Sequence, residues 1–352
     1  MPSKAKYTIG ILLLFISALC VNAGPPPGGY VDEMKYPNII RPDVQFGTYG
    51  TSMGQLIDPL GIGVSLDDEI YITECGNNRV QVFNNQGHPL RAWGNTGGNP
   101  SQFVCPEAIA VSSDKLVYVA DTGNNRIQVF DQNGQFLYQW GSFGHANGQF
   151  NAPRGVAVDS NRVYVVDTAN QRIQVFDRRG GFILSFGSYG HQVGQFNQPI
   201  GITIGRDGHI YVADSNNNRI QKFNARGELL KAWGSYGSYN GQLAEPTDVS
   251  FQGDEVFAAD LVNHRVQVFD SDGNFSYQWG RHPPTAHEGN GRLHYPMRIS
   301  MSPSGNFAVV CEPFENRCQV FTRAKIDSIQ NVNDSAWWQK STRFHYGTVI
   351  VV

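Results

Sequence analysis

The chain lacks a hydrophobic run long enough to cross a membrane. Its main apolar stretch, Ile9 to Val21, is 13 residues long, whereas a membrane-spanning helix needs about 20. Lys4 and Lys6 precede this stretch, and the small residue Ala23 follows it. This order is typical of a secretory signal peptide. We therefore predict a signal peptide over residues 1–23, cleaved near Ala23, and a secreted or extracytoplasmic mature protein without a membrane span; a signal anchor is the alternative.

The sequence also lacks an excess of positive charge. It has 27 Lys and Arg against 30 Asp and Glu, a net charge of −3. Loss of residues 1–23 removes two lysines and no acid, which leaves −5. Proteins that bind nucleic acid concentrate Lys and Arg on one face, so this balance predicts no nucleic acid partner. Residues 24–29 (GPPPGG) form neither helix nor interior strand, and we predict a linker over residues 24–43.

Helical spacing of apolar residues is absent between residues 45 and 321, and an internal repeat of about 46 residues takes its place. The phrase DTGNNRIQVF at Asp121 recurs five times, with Glu or Asp first, Arg five residues later, Gln two after that and Phe two further on. The six copies begin at Glu74, Asp121, Asp167, Asp214, Asp260 and Glu312. Their arginines are 47, 46, 47, 46 and 52 residues apart.

Each copy is predicted to form four short strands, the first led by a proline and the fourth ending in an aromatic residue and glycine. Val, Ile, Tyr and Phe fill the strand positions, and turn residues separate them. Four strands per repeat predict a propeller blade. The sixth copy ends at Phe321 without a fourth strand, whereas Phe46-Gly47 is a spare fourth-strand signature. We therefore predict that the N-terminal strand completes the last blade, which leaves no open sheet edge.

The D-x-x-N-x-R-[IV]-Q-V-F phrase, the proline-led first strand and the W-G-S-x-G-x-x-x-G-Q-F connection resemble NHL repeats. The resemblance implies an all-β, six-bladed β-propeller over residues 44–321, followed by a C-terminal tail over residues 322–352. Fold transfers through such a resemblance but function does not, because NHL-type propellers have several unrelated activities.

Residues repeated in all six copies are predicted to be architectural. The acid and the Arg face each other across a hairpin turn, as partly exposed ion pairs worth about 1 kcal/mol or less each. The tryptophans are predicted to pack between blades. Departures from the repeat are therefore the positions where specific roles are expected. The first strand starts on the face where the second ends, so departures at both places share one rim.

Four cysteines remain after the predicted cleavage, and an even number behind a signal peptide favours disulfides. Cys311 and Cys318 face each other across a hairpin, within bonding range. Cys75 lies in the turn of the first repeat, and Cys105 lies at the entry to the second. We predict the pairs Cys75–Cys105 and Cys311–Cys318, with free buried thiols as the alternative.

Charge marks a second set of departures, at the mouth of the central channel. The two positions after the proline of each first strand carry four charged residues among otherwise uncharged ones. They are Glu107, Arg154, Asp248 and Arg298. They form a candidate ligand-binding site, and the alternative is that they pair with one another around a solvated tunnel.

Histidine marks the third departure. The connection from Gly280 to Pro296 is longer than the other five and carries His282, His287 and His294, and His264 is expected beside it. Their spacing matches no recognised metal motif. We predict a surface loop and no metal.

Two function classes compete. We predict a non-catalytic extracellular scaffold that binds a protein, peptide or glycan through its loop-bearing rim, since no nucleophile–base pair is visible. The alternative is a secreted enzyme, either a metal-dependent lyase or a lactonase-like hydrolase. Peptide-amidating lyases, which share this kind of propeller, place metal-binding histidines directly after the prolines, where this chain has none. Lactonase-like propellers combine Glu with Asn and Asp; Glu107 and Asp248 are present without the Asn. No catalytic residue or cofactor is predicted.

Asn274 and Asn333 begin glycosylation sequons.

Overall fold

The computed structural model describes residues 42–280, 282 and 291–324, which form six four-stranded antiparallel sheets. Blade 1 contains β2–β5: Pro59–Val64, Ile70–Glu74, Arg79–Phe83 and Pro89–Trp93. Blade 2 contains β8–β11: Pro106–Val111, Val117–Asp121, Arg126–Phe130 and Phe136–Trp140. Blade 3 contains β12–β15: Pro153–Val158, Arg162–Asp167, Arg172–Asp177 and Phe182–Phe186. Strands β6 (Asn95–Thr96) and β7 (Gln102–Phe103) form a small parallel pair between blades 1 and 2.

The other three blades have the same design. Blade 4 contains β16–β19: Pro199–Ile204, Ile210–Asp214, Arg219–Phe223 and Leu229–Trp233. Blade 5 contains β20–β23: Pro246–Gln252, Glu255–Asp260, Arg265–Asp270 and Phe275–Trp279. Blade 6 contains β24–β26 and β1: Arg298–Met301, Phe307–Glu312, Arg317–Thr322 and Val44–Phe46. Single 3-10 turns occupy Thr122–Asn124, Thr168–Asn170, Ser215–Asn217 and Pro313–Glu315. The predicted six-bladed propeller is confirmed.

The N-terminal strand closes the ring. Val44 pairs with Val320 and Phe46 with Cys318, so β1 is the outer strand of blade 6. The Phe46 ring also lies 4.6 Å from that of Phe83 in blade 1. The strand therefore joins blade 6 to blade 1 by hydrogen bonds on one side and by packing on the other, as the sequence predicted.

Buried residues between neighbouring blades form the core. The outer-strand aromatic residue of one blade packs on a turn glycine of the next, as Trp93 does on Gly134 and Trp140 on Gly180. Both glycines have φ near +85° (84° and 89°), and a Cβ at either would come within about 2.6 Å of the indole. The tryptophans thus serve inter-blade packing, as predicted.

The predicted signal peptide (1–23), residues 24–41 of the predicted linker, and residues 325–352 of the predicted tail lie outside the described residues, as do His287 and the Asn333 sequon. Asn274 is described, and its side chain is exposed. In the described part of the chain, no helix is long and apolar enough to cross a membrane.

Candidate functional site: the loop rim and the channel mouth

One face of the propeller carries the connections between blades, the D-x-x-N turns and the residues that follow the blade prolines. We call this face the loop rim. Register places them together, since Pro106 at the start of one strand pairs with Asp121 at the end of the next. The opposite face carries short turns such as residues 112–116 and 131–135.

The repeated polar residues hold the connections of the loop rim. In blade 2 the Asp121 carboxylate accepts hydrogen bonds from Asn124 (2.9 Å), Arg126 (2.7 Å), Gln128 (3.0 Å) and the backbone N–H of Val104 (2.9 Å). The other guanidinium nitrogens of Arg126 donate to three carbonyls of the preceding connection. All six acids are 0% exposed. The expectation of partly exposed pairs is therefore wrong: the pairs are architectural but buried.

A second repeated contact joins each turn to the following blade. The residue before each repeat arginine accepts a hydrogen bond from the backbone N–H of the residue before the next proline. The acceptors are Asn78, Asn125, Gln171, Asn218, His264 and Asn316. Each residue before a proline has φ between 48° and 54°, a left-handed conformation that this contact supports. His264 thus takes the place of an amide, with its Nδ1 accepting from the N–H of Tyr295 at 3.1 Å.

Both predicted cysteine pairs lie at bonding distance. The sulfur atoms are 1.99 Å apart in Cys75–Cys105 and 1.81 Å apart in Cys311–Cys318. Cys75 occupies the position of Thr122, whose hydroxyl donates to the carbonyl of Pro153 in the next blade at 2.7 Å. Between blades 1 and 2, a covalent link therefore replaces a hydrogen bond. Such links are typical of proteins in oxidising compartments.

Arg298 crosses the channel mouth. Its guanidinium donates to the carbonyls of Leu60 (2.5 Å), Glu107 (3.0 Å) and Arg154 (2.8 Å), in blades 1, 2 and 3. It also lies 3.7 Å from the carboxylate of Asp248 in blade 5. The side chain is only 4% exposed. One side chain of blade 6 therefore connects four other blades at the centre of the ring.

The four charged departures do converge, and they pair with one another. Arg154 lies 3.4 Å from Glu107, and both are largely buried. Asp248 also accepts a hydrogen bond from the N–H of Ile299 at 3.0 Å. Burial raises the pKa of Asp248 to about 6, and Arg298 opposes that rise. The internal pairs that the sequence left open as the alternative are present, and a ligand-binding role for these four residues stays a prediction.

Behind the charged mouth, the channel contains a cavity of about 180 Å³. Its lining comes from the first strands of all six blades; aliphatic residues such as Ile62, Ile109 and Ile299 contribute to it, but the surface that it exposes is mostly polar. Thr203 and Ser250 also line it. Asp248 and Arg298 border this cavity and separate it from the loop rim.

Three of the four histidines come together on the loop rim. The ring of His264 lies 4.2 Å from that of His282 and 5.8 Å from that of His294. Burial and these two neighbours lower the pKa of His264 to about 3. Because Nδ1 of His264 is an acceptor, its proton is on Nε2, which leaves no lone pair there for a metal. In the described part of the chain, no group of His, Cys, Asp or Glu has the arrangement of a metal site.

A ring of exposed aromatic residues on the loop rim was not predicted from the sequence. Tyr49, Phe143, Tyr189 and Tyr236 are 72%, 66%, 65% and 76% exposed and occupy equivalent positions after the outer-strand glycine. Tyr239, 80% exposed, adds a fifth ring. The signal was present in the repeated G-[ST]-[FY]-G phrase, but repetition was interpreted as architecture. Repeated residues that remain exposed do not stabilise a core, so they are available for contacts outside the chain.

The fold and these contacts define a six-bladed β-propeller with a regular loop rim. A model of the NHL repeat matches residues 56–83, 103–130, 150–176 and 196–223. Each match ends with the third strand of a blade, and blades 5 and 6 repeat the same pattern. Four matched NHL repeats within a six-bladed propeller support an NHL-repeat propeller family for this chain.

A curated relative is the B-box type zinc finger protein ncl-1 of Caenorhabditis elegans, 31% identical over 72 residues. That match covers 17% of this chain and 8% of the relative, so the chain corresponds to a small part of that protein.

Solved structures of similar shape include two lyases. A streptogramin B lyase has a TM-score of 0.56 at 15% identity and covers 79% of this chain and 98% of its own. The virginiamycin B lyase of Staphylococcus aureus has a TM-score of 0.51 at 14% identity, covering 75% and 94%. A Bacteroides thetaiotaomicron protein of unknown function has a TM-score of 0.62 at 17% identity, covering 79% and 76%. At these identities the likeness shows the fold alone, which is compatible with a binding scaffold or with a propeller enzyme.

Proposed function

We propose that this protein is a secreted, non-catalytic binding scaffold that recognises its ligand through the loop rim. The observation that carries the proposal is a contrast between two parts of that face. The charged residues of the channel mouth make contacts within the chain, and Arg298 makes most of them. The connections around them expose aromatic rings that the fold does not use.

The connections are also rigid enough to serve as a recognition surface. In blade 4, Arg219 donates to the carbonyls of His191, Gln192 and Gln195, at 2.9, 2.7 and 2.8 Å. The backbone of exposed Tyr189 forms a parallel bridge to Phe196, which is 0% exposed. A backbone held in this way loses little conformational freedom on binding. Secretion is supported by the predicted signal peptide and by the two cysteine pairs.

The test is affinity capture from the extracellular medium with the wild-type chain and two double variants. Tyr236→Ala with Tyr239→Ala removes two exposed rings from the loop rim. Leu66→Ala with Leu90→Ala is the control, because both residues are exposed (57% and 46%) and lie toward the opposite face. We expect the first variant to lose captured ligand and the second to retain it, with unchanged melting temperatures. Equal capture by all three proteins, or loss in the control alone, contradicts the proposal.

A further inference from the structure

The outer part of each of the five shorter connections, from the outer-strand glycine to the Gln eight residues later, contains no charged residue; Asp58 and Glu245, which are half-buried, lie beyond it, directly before their prolines. Residues 47–55, 94–102, 141–149, 187–195 and 234–242 read GTYGTSMGQ, GNTGGNPSQ, GSFGHANGQ, GSYGHQVGQ and GSYGSYNGQ. They offer aromatic rings, hydroxyls, amides and imidazoles, but no Lys, Arg, Asp or Glu. A ligand that depends on charge finds no partner there, whereas a neutral ligand with many hydroxyl groups finds both stacking surfaces and hydrogen-bonding groups.

Two neighbouring connections have the same arrangement of an aromatic ring beside a histidine. The ring of Phe143 lies 6.4 Å from that of His145, with 62° between the planes. The ring of Tyr189 lies 6.1 Å from that of His191, with 66° between the planes. All four side chains are exposed. Each connection thus places a flat aromatic face beside an imidazole edge, with an open angle between them.

The partner of each imidazole fixes its tautomer. Nδ1 of His191 lies 2.8 Å from Oδ1 of Asn217, and Nδ2 of that Asn donates to the Gly190 carbonyl and to Asp214. The Asn oxygen is therefore the acceptor and Nδ1 of the histidine is the donor. In the neutral ring, Nε2 then has a lone pair that can accept a hydrogen bond from a ligand hydroxyl.

The equivalent contacts recur one blade earlier. Nδ1 of His145 donates to Oδ1 of Asn170 at 2.6 Å, and Nδ2 of Asn170 donates to the Gly144 carbonyl and to Asp167. The buried acid of the repeat thus orients the Asn, which orients the histidine.

We propose that these two connections are neighbouring subsites for a neutral glycan, with Phe143 and Tyr189 stacking on sugar rings and His145 and His191 accepting from sugar hydroxyls. This inference rests on the proposed function of the loop rim and names its ligand class. The ring contacts of Phe143 and Tyr189 are each with the histidine of the same connection. Separate platforms, one per blade, suit a ligand built of repeating units. A protein interface instead favours a continuous buried centre, and single-stranded nucleic acid requires a positively charged groove beside its stacking rings.

The experiment measures binding of the full chain to soluble β-1,3-glucan, β-1,4-glucan, mannan, xylan and galactan, with heparin and oligo-dT as anionic probes. Isothermal titration and affinity electrophoresis give the affinities. We expect at least one neutral polysaccharide to bind, with little change between 0.1 and 0.5 M salt, because no charge takes part.

Three double variants locate the subsites. Phe143→Ala with Tyr189→Ala should weaken binding at least tenfold, about 1.4 kcal/mol. His145→Phe with His191→Phe, which keeps the rings and removes the acceptor, should also weaken binding. The matched control is Leu137→Ala with Ile183→Ala, since these side chains are 43% and 42% exposed on the outer strands of the same blades. The control should bind within twofold of wild type.

The outcomes separate this inference from the proposed function. If no neutral polysaccharide binds, if heparin or oligo-dT binds in preference, or if the aromatic variant binds as wild type does, the glycan inference is wrong. Should a captured extracellular protein still depend on Tyr236 and Tyr239, the scaffold proposal stands without it. If neither capture nor polysaccharide binding responds to changes on the loop rim, both proposals fail.

Discussion

Replacement of Arg298 tests whether the channel mouth is structural. Arg298→Met keeps most of the aliphatic volume but removes the donors to three carbonyls and the partner of Asp248. Each hydrogen bond from a charged donor contributes about 1.5–3 kcal/mol, and breaking a buried ion pair by removing one partner costs about 3–5 kcal/mol. These contributions overlap because they share one side chain. We expect the free energy of unfolding to fall by about 4 kcal/mol, and the melting temperature to fall on the order of 10 °C.

The loss should depend on pH through Asp248. Its pKa is raised to about 6 in the folded chain from 3.8. A carboxyl group with a raised folded pKa favours folding at pH values below its unfolded pKa, and this contribution is lost as pH rises through the folded pKa. Without Arg298 the folded pKa should rise further. The variant should therefore lose more stability at pH 8 than at pH 5, and Asp248→Asn in the same chain should remove that difference.

Urea unfolding of wild type, both single variants and the double variant at the two pH values gives the measurement. Arg226→Met is the control, because Arg226 is 79% exposed and pairs only with Glu228 among its ionic partners in the described chain; it should stay within about 0.5 kcal/mol of wild type. If Arg298→Met also stays within 1 kcal/mol of wild type at both pH values, the channel mouth does not hold the blades together, and the site would again be open to ligand.

Three further predictions concern the ring and its contacts. A chain beginning at Thr51 lacks β1 and should melt well below one beginning at Gly24; equal melting temperatures would show that β1 does not close the ring. Cys75→Ser should lower the free energy of unfolding by about 4 kcal/mol and Cys311→Ser by about 2 kcal/mol, because the disulfides close loops of 30 and 7 residues. Denaturant unfolding measures both, and free thiols in the wild-type protein would refute the pairing. His264→Asn should preserve the contact to the next blade and His264→Ala should cost about 1 kcal/mol; equal losses would contradict the amide-like role of His264.

The architecture could be predicted from the sequence because the same pattern of strands and turns occurs six times. One hydrophobic pattern is ambiguous, but six copies of the same strand and turn order leave few alternatives to a propeller. The position of β1 followed from one missing and one spare strand. The cysteine pairs followed from hairpin register and from the shared rim, both of which are local geometry.

The contacts of the site were less accessible from sequence. Whether Arg298 ends in solvent or on three carbonyls depends on the width of the channel, which no single repeat determines. The six acids were expected to be partly exposed, because a hairpin alone does not show that the connection folds back over its turn. His264 was grouped with the histidines of the long connection, although five amides at equivalent positions indicated a hydrogen-bond acceptor. The ring of exposed aromatic residues on the loop rim was not predicted, because residues that recur in the repeats were expected to be buried.

The pairing of β1 with β26 also determines the order in which the chain can fold. Val44 is among the first propeller residues that a ribosome makes, and its partner Val320 is among the last. Until then β1 has no strand to pair with, and once β26 is made it presents an open edge until β1 pairs with it, to which a strand of another molecule can add. Closure therefore follows synthesis of all the other propeller strands. Conditions that slow translation or delay this last pairing should promote exchange of β1 between molecules before they harm the finished ring.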